Sequence, residues 1–318
     1  MAGGSCKQDR LILPFMKKAF IQLHIAVFLA GFTAILGKLI TLHEGMLVWF
    51  RMLITAVTLA ILLLLKKKLQ KLPLKNTLQL FGVGGVVALH WVSFYGSIRY
   101  SNVSVSLTCL SAIGFFTAFL DPLITGRRID AAEVFLGALA ITGIYLIFDF
   151  YPQYKLGILF GIISALLASL FPIFNKGFLK HHAATTVTLY EMAGGFVVLT
   201  FILPFYLKLF PATYYLPTAS DWMWLLILAW VCTVFTFILA LNALKKISPF
   251  TANLAYNLEP VYGIILAFVI FNENKYLSAG FYYGLGLILL AVVLQMMRVV
   301  VQSRNLKKAD MENKFLNT

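Results

Sequence analysis

Charge is scarce in this chain. Only 12% of its 318 residues are Asp, Glu, Lys or Arg, about half the share of an average soluble domain. That is too little to coat the water-soluble domains that its length could make. Acid is scarcer still: 12 Asp and Glu stand against 26 Lys and Arg, a formal net charge of +14. Cysteine is rare too. Cys6, Cys109 and Cys232 are isolated, which gives neither metal-ligand nor disulfide spacing. There is no HExxH, no aspartate-rich pair for a prenyl diphosphate and its metal, and no charged ATPase domain. Gly31 to Lys38 is one residue too long for a phosphate loop, lacks the following Ser/Thr and lies in an apolar run. No cofactor and no metal is expected. Nor is nucleic acid, because the basic residues form short clusters between apolar runs, not a patch.

Apolar residues make up 61% of the chain, and runs of ~20 of them recur along it, as in a polytopic membrane protein. Ten spans are predicted, at 19–41, 45–65, 77–98, 102–125, 131–150, 156–176, 184–210, 221–242, 247–271 and 276–300. The first lacks a small-x-small cleavage site and is kept as a span. Clusters such as Lys66-Lys67-Lys68, Arg127-Arg128, Lys245-Lys246 and Lys307-Lys308 fall on one side at alternate loops. The positive-inside rule then puts both termini in the cytoplasm. Asn102-Val103-Ser104 is a glycosylation sequon close to the bilayer.

A shift of about 147 places aligns one half with the other: Tyr95 meets Asn242, Ser101 meets Ser248, Leu107 meets Leu254 and Gly137 meets Gly284. Five spans per half is an odd number, so the second copy is inverted, as in many secondary transporters. The expected fold is all-α, ten transmembrane helices as two inverted repeats. The expected parts are a tail at 1–18, repeats at 19–150 and 151–301, and a basic tail at 302–318.

Polar residues inside the spans carry the functional expectation, since a charge at the bilayer centre costs at least ~2.5–3.5 kcal/mol. Glu259 is ~18 Å into its predicted helix and His90 is equally central. Arg51 is ~9 Å below the outer face and Glu191 ~10 Å from the inner one. Lys38 and its repeat mate Lys176 lie near opposite faces. Lys38, Arg51, His90, Lys176, Glu191 and Glu259 are therefore the candidates for gating or coupling. Lys38 and Lys176 can also snorkel to water, and His90 can be a packing histidine. An inner Lys176–Glu191 contact is expected. Lys38 and Arg51 have no matching acid, so a charged solute or an acid such as Glu44 or Glu273 must satisfy them.

The stretch ANLAYNLEP at 252–260 is the least ordinary. Asn253 and Asn257 share a helix face, and Glu259 is roughly 200° from Asn257. Pro260 leaves the Tyr256 carbonyl without its donor, so the helix is expected to kink or open. The first-half equivalent, VSLTCLSAI at 105–113, is polar but has neither acid nor proline. Asn253, Tyr256 and Asn257 are the expected solute contacts, with Trp91 and Tyr95 on its apolar part. Either Asn can instead tie helices together. Gly137/Gly143 and Gly280/Gly284 predict close packing of the fifth and tenth spans, or a homodimer through them.

The segments LAGFTAILGK (29–38), WFRMLITAVTLAILLLL (49–65), LALNALKKISPFTANLAYNLEPVYGIILAFVIFNEN (239–274) and GFYYGLGLILLAVVL (280–294) together resemble the EamA type of the drug/metabolite transporter superfamily. The resemblance spans about 20–300 and rests on Lys38, Arg51, Asn242 to Lys245, Glu259-Pro260 and Glu273. It departs at Ile113 and Gly126-Arg127-Arg128, where family members often show Pro and Glu. It implies a small-metabolite permease, often an amino-acid exporter, with a central site and alternating access, in a plasma membrane such as the bacterial inner membrane. Proton coupling through Glu259 and a small-molecule solute follow as expectations. The alternative is an intramembrane enzyme acting on a lipid-linked substrate.

Overall fold

The computed structural model describes residues 5–126, 128–150, 152–244, 256 and 258–316. All regular structure among them is helical. The helices are α1 Ser5–Leu39, α2 Glu44–Leu65, α3 Leu74–Tyr100, α4 Val103–Leu110, α5 Ile113–Thr125, α6 Ala131–Phe150, α7 Lys155–Phe178 and α8 Ala184–Leu209. They continue with α9 Ala219–Ala229, α10 Thr236–Leu244, α11 Glu259–Phe271 and α12 Ala279–Leu316. Eight spans are long and apolar enough to cross a bilayer, and Ala131–Ile147 and Glu259–Phe271 are shorter apolar helices. Each falls within or across one of the ten predicted segments.

Three elements depart from the expected outline. α1 starts at Ser5 and α12 runs to Leu316, so both predicted tails continue helices. Charge marks where the bilayer ends, but Lys, Arg and Glu are good helix formers and do not stop a helix. The fourth segment is not one helix. Ser111 and Ala112 donate to Thr108 and Cys109, three residues back, and α5 starts afresh at Ile113. Thr108 donates to the Ser104 carbonyl at 2.7 Å, and such local hydroxyl bonds compete with the helical ladder. The eighth segment contains a π-helical turn, Trp230–Phe235, between α9 and α10.

The expected opening falls at Leu258, a turn between the helical Tyr256 and the next helix. α11 begins at Glu259, with Pro260 in the first turn, where its missing N–H has no intrahelical acceptor to serve. Of the residues just before, only Tyr256 and Leu258 are described. Shifted by the repeat offset of about 147, the Ser111–Ala112 break falls on Leu258–Glu259. The backbone break is shared by the halves, while the acid belongs to one. The fourth segment of each half also ends on a left-handed residue, Gly126 (φ 73°) and Asn272 (φ 54°), the usual way to close a helix C-terminus.

The halves interleave. α3 packs against α7 and α8, α1 against α10 and α11, and α6 against α12. Paired glycines set the closest approaches. A Cβ on Gly84 would lie 2.6 Å from the Gly195 nitrogen, and one on Gly143 would lie 2.6 Å from the Gly284 oxygen. The expected packing of the fifth and tenth spans is thus found within one chain, and it occupies Gly143 and Gly284.

Candidate functional site

Arg51 is the centre of the site. α2 carries it into the bundle, where 2% of it is exposed. A buried guanidinium is costly without partners, and α3 and the π-helical turn supply them. Nη1 donates to the Tyr95 hydroxyl at 2.7 Å. Nε donates to Thr233 Oγ1 at 3.0 Å. The Trp91 ring lies 3.6 Å from Cζ, a cation–π contact worth ~2 kcal/mol when desolvated. Trp91 and Tyr95 are four residues apart on α3, so they share a face. Gly37 of α1 leaves the room that the Tyr95 ring fills. Thr233 sits in the π-helical turn, and its hydroxyl donates to the Leu228 carbonyl, five residues back, at 2.8 Å. With its proton committed there, its lone pairs are free to accept from Arg51. Such turns are frequent at functional sites.

Glu259 approaches from α11. A Cβ on Gly31 would lie 2.9 Å from the Glu259 backbone oxygen and 3.1 Å from the Gly263 nitrogen. This glycine contact holds the start of α11 against α1. No ion pair to Arg51 forms among the described residues. Glu259 is half-buried. Tyr256 is half-buried too and packs on Ala19, Leu23, Val27 and Ala243.

Other expected residues stand apart. His90 is 9% exposed, and its Nδ1 is 2.9 Å from the Ser164 carbonyl. Ser164 Oγ returns a bond to the His90 carbonyl at 3.1 Å. A carbonyl partner requires the proton on Nδ1, so His90 ties α3 to α7. Glu191 is buried on α8, and its Oε1 has no hydrogen-bond partner among the described residues. Lys176 lies on α7, but its side chain, like Asn253 and Asn257 altogether, is outside the described residues.

The acids near the loops do the pairing. Glu273 is 3.9 Å from Lys38. It also accepts from Val103 N (3.1 Å), Ser104 N (2.9 Å) and Ser104 Oγ (2.6 Å), so it caps the start of α4. Asn102 of the sequon accepts from Val105 N at 2.8 Å as the N-cap of that helix. Glu44 does not reach Arg51. It meets Arg99 at 3.4 Å, His43 at 3.5 Å and the Tyr206 hydroxyl at 2.8 Å. Burial, opposed by Glu44, holds the His43 imidazole below its usual 6.5.

The structure thus brings Arg51, Trp91 and Tyr95 together, seats the Glu259 backbone against Gly31, and leaves Lys38, His90 and Glu191 elsewhere. Thr233 was not among the expected residues. A lone Thr in an apolar run, WVCTVF, was its one signal.

The model of the EamA-like transporter family matches residues 17–149 and 155–297. The "Uncharacterized transporter YetK" of Bacillus subtilis is 27% identical over 295 residues, 83% of this chain and 86% of its own. An "Uncharacterized transporter" of Archaeoglobus fulgidus is 24% identical over 186 residues, 58% of this chain, and the match spans 65% of that relative's length. A solved crystal structure at 14% identity superposes with a TM-score of 0.60 over 89% of this chain and 98% of its own, a likeness of fold.

Proposed function

The chain belongs to the EamA-like transporter family, and on that premise we propose that it is a secondary permease for a small metabolite such as an amino acid. It is a multi-pass membrane transporter; in our reading it exports, by alternating access between its two halves. One observation carries this. Arg51 is a charge 2% exposed inside the bundle, and its partners come from both halves: Trp91 and Tyr95 of the first and Thr233 of the second. Buried charges are poor stabilisers, and inverted-repeat transporters bind solute near the midplane between the repeats. In this reading Glu259 couples a proton to transport, Asn253 and Asn257 meet the solute's polar groups, and Lys176 and Glu191 close the inner side.

The test is flux in proteoliposomes with a metabolite panel, with and without a pH gradient. Glu259→Gln keeps shape and hydrogen bonding but cannot cycle a proton. It is expected to retain solute exchange and to lose acceleration by the gradient. Gradient dependence undiminished in Glu259→Gln makes Glu259 a structural residue. Product formation without flux favours an enzyme.

A further inference from the structure

We propose that Glu44, Asp221 and Glu273 form a latch between the two halves at the end of the bundle where α1 meets α2, and that this latch makes the protein rest with that end shut. The inference rests on the permease reading above and adds which closed state is favoured. The connectors 40–43, 101–102, 210–218 and 272–278 are tied together at this distal end by the three acids. Each acid is 5% exposed or less, and each crosses from one half to the other. Asp221, of the second half, accepts from Thr41 N at 2.7 Å and from Thr41 Oγ1 at 3.1 Å. Glu44, of the first, accepts from the Tyr206 hydroxyl of α8 at 2.8 Å. Glu273, of the second, accepts from Val103 and Ser104 of α4 and pairs with Lys38 of α1. The Tyr206 ring packs on Phe210, and Phe210 packs on Tyr100 of the first half.

The repeat does not copy this latch. Inverted halves build the two ends from equivalent helices, so each acid has a counterpart at the opposite end. By the shift of about 147, Asp221 falls on Leu74 and Glu273 on Gly126. By the shorter shift that pairs Lys38 with Lys176, Glu44 falls on His182 to Ala184. None of these is an acid. α3 and α8 start there after Pro73 and Ala183, without a side-chain cap. Glu191, the buried acid of α8 toward that end, keeps Oε1 without a partner among the described residues. Arg298 does meet Asp130 and Glu133, but it joins α6 to α12, which already meet at Gly143 and Gly284. The balance between two closed states is set by contacts that one makes and the other lacks. Three engaged carboxylates at one end, with no acid in the matching positions, favour closure of the distal end. The latch is cooperative because Thr41, Glu44 and Lys38 flank one connector, so releasing one acid loosens the hold of the others.

The experiment is hydrogen exchange by mass spectrometry on the full chain in nanodiscs, which reads local opening. The unaltered protein is compared with Glu44→Gln, Asp221→Asn and Glu273→Gln combined. Exchange at Thr41, Val103 and Ser104 is expected to rise tenfold or more, about 1.4 kcal/mol. Exchange in the connectors 66–73 and 179–183, at the opposite end, is expected to fall, because that end closes as the distal end opens. Glu44→Gln alone is the second variant, and it keeps the proposal testable if the combined variant misfolds. Glu44 bonds to none of those three amides among the described residues, yet smaller changes of the same two signs are expected there. A rise without a fall at the opposite end makes the acids separate caps and overturns the latch. So does a Glu44→Gln variant that leaves Thr41, Val103 and Ser104 unchanged. Liposome flux separates the two readings. If the reciprocal change appears and no panel solute moves, the latch stands and the permease reading falls. If solute moves and exchange does not shift at both ends, the permease stands and the latch falls.

Discussion

Glu273→Ala tests how the start of α4 is held. The carboxylate is 5% exposed and accepts three hydrogen bonds, from Val103 N, Ser104 N and Ser104 Oγ. Hydrogen bonds to charged groups contribute ~1.5–3 kcal/mol each in soluble proteins, whereas side-chain bonds within membrane bundles average ~0.6. Three bonds at the lower value give about 2 kcal/mol. Non-additivity and the residual cap from Asn102 keep the upper bound near ~5 kcal/mol. Lys38 adds little, because it is 3.9 Å away and its side chain is 39% exposed. The expected cost is therefore ~3 kcal/mol, the middle of that range. Glu273→Gln keeps one acceptor oxygen and is expected to lose less than half as much. Unfolding of the detergent-solubilised protein, followed by tryptophan fluorescence, gives the ranking. Hydrogen exchange at Val103 and Ser104 locates the loss. A cost for Glu273→Ala below ~1 kcal/mol, with those amides still protected, would refute the capping argument.

Two further predictions follow from local geometry. His43 Nδ1 accepts from Gly45 N at 3.2 Å as the cap of α2, which requires an unprotonated Nδ1. Burial holds its pKa below 6.5, so as pH falls through 6.5 the unfolded chain takes up a proton that the folded one refuses, and stability falls. His43→Asn keeps a capping acceptor and cannot titrate. Its unfolding temperature is expected to depend less on pH below 6.5 than the unaltered protein's, and an unchanged profile would reject the role. Gly84→Ala drives a methyl into the α8 backbone at Glu191 and Gly195 and is expected to cost ~1–3 kcal/mol. Gly82→Ala meets nothing within 4 Å and is expected to be neutral or stabilising by up to ~1 kcal/mol. Equal effects of the two substitutions on thermal unfolding would contradict the helix contact.

What was legible without coordinates followed from rules that act locally. Apolar length sets a span, so the all-helical membrane fold could be read directly. Rarity made Arg51 and Glu259 visible, because a charge at that depth has a cost that composition alone reveals. The acids near Lys38 could be named as candidates, but not chosen between. Only packing decided that Glu273 meets Lys38 and Glu44 meets Arg99, because those partners lie far apart along the chain. Trp91 and Tyr95 were read as walls for a solute, and the structure seats them on Arg51. Thr233 entered through a π-helical turn, which has no reliable signature in residue type. The Ser111–Ala112 break was equally silent, as neither Pro nor Gly marks it. Apolar span length and charge within spans are sums over neighbouring residues, and the sequence by itself determined them. Which donor faces which acceptor depends on how helices distant in sequence rotate against each other, and only the tertiary structure decided that.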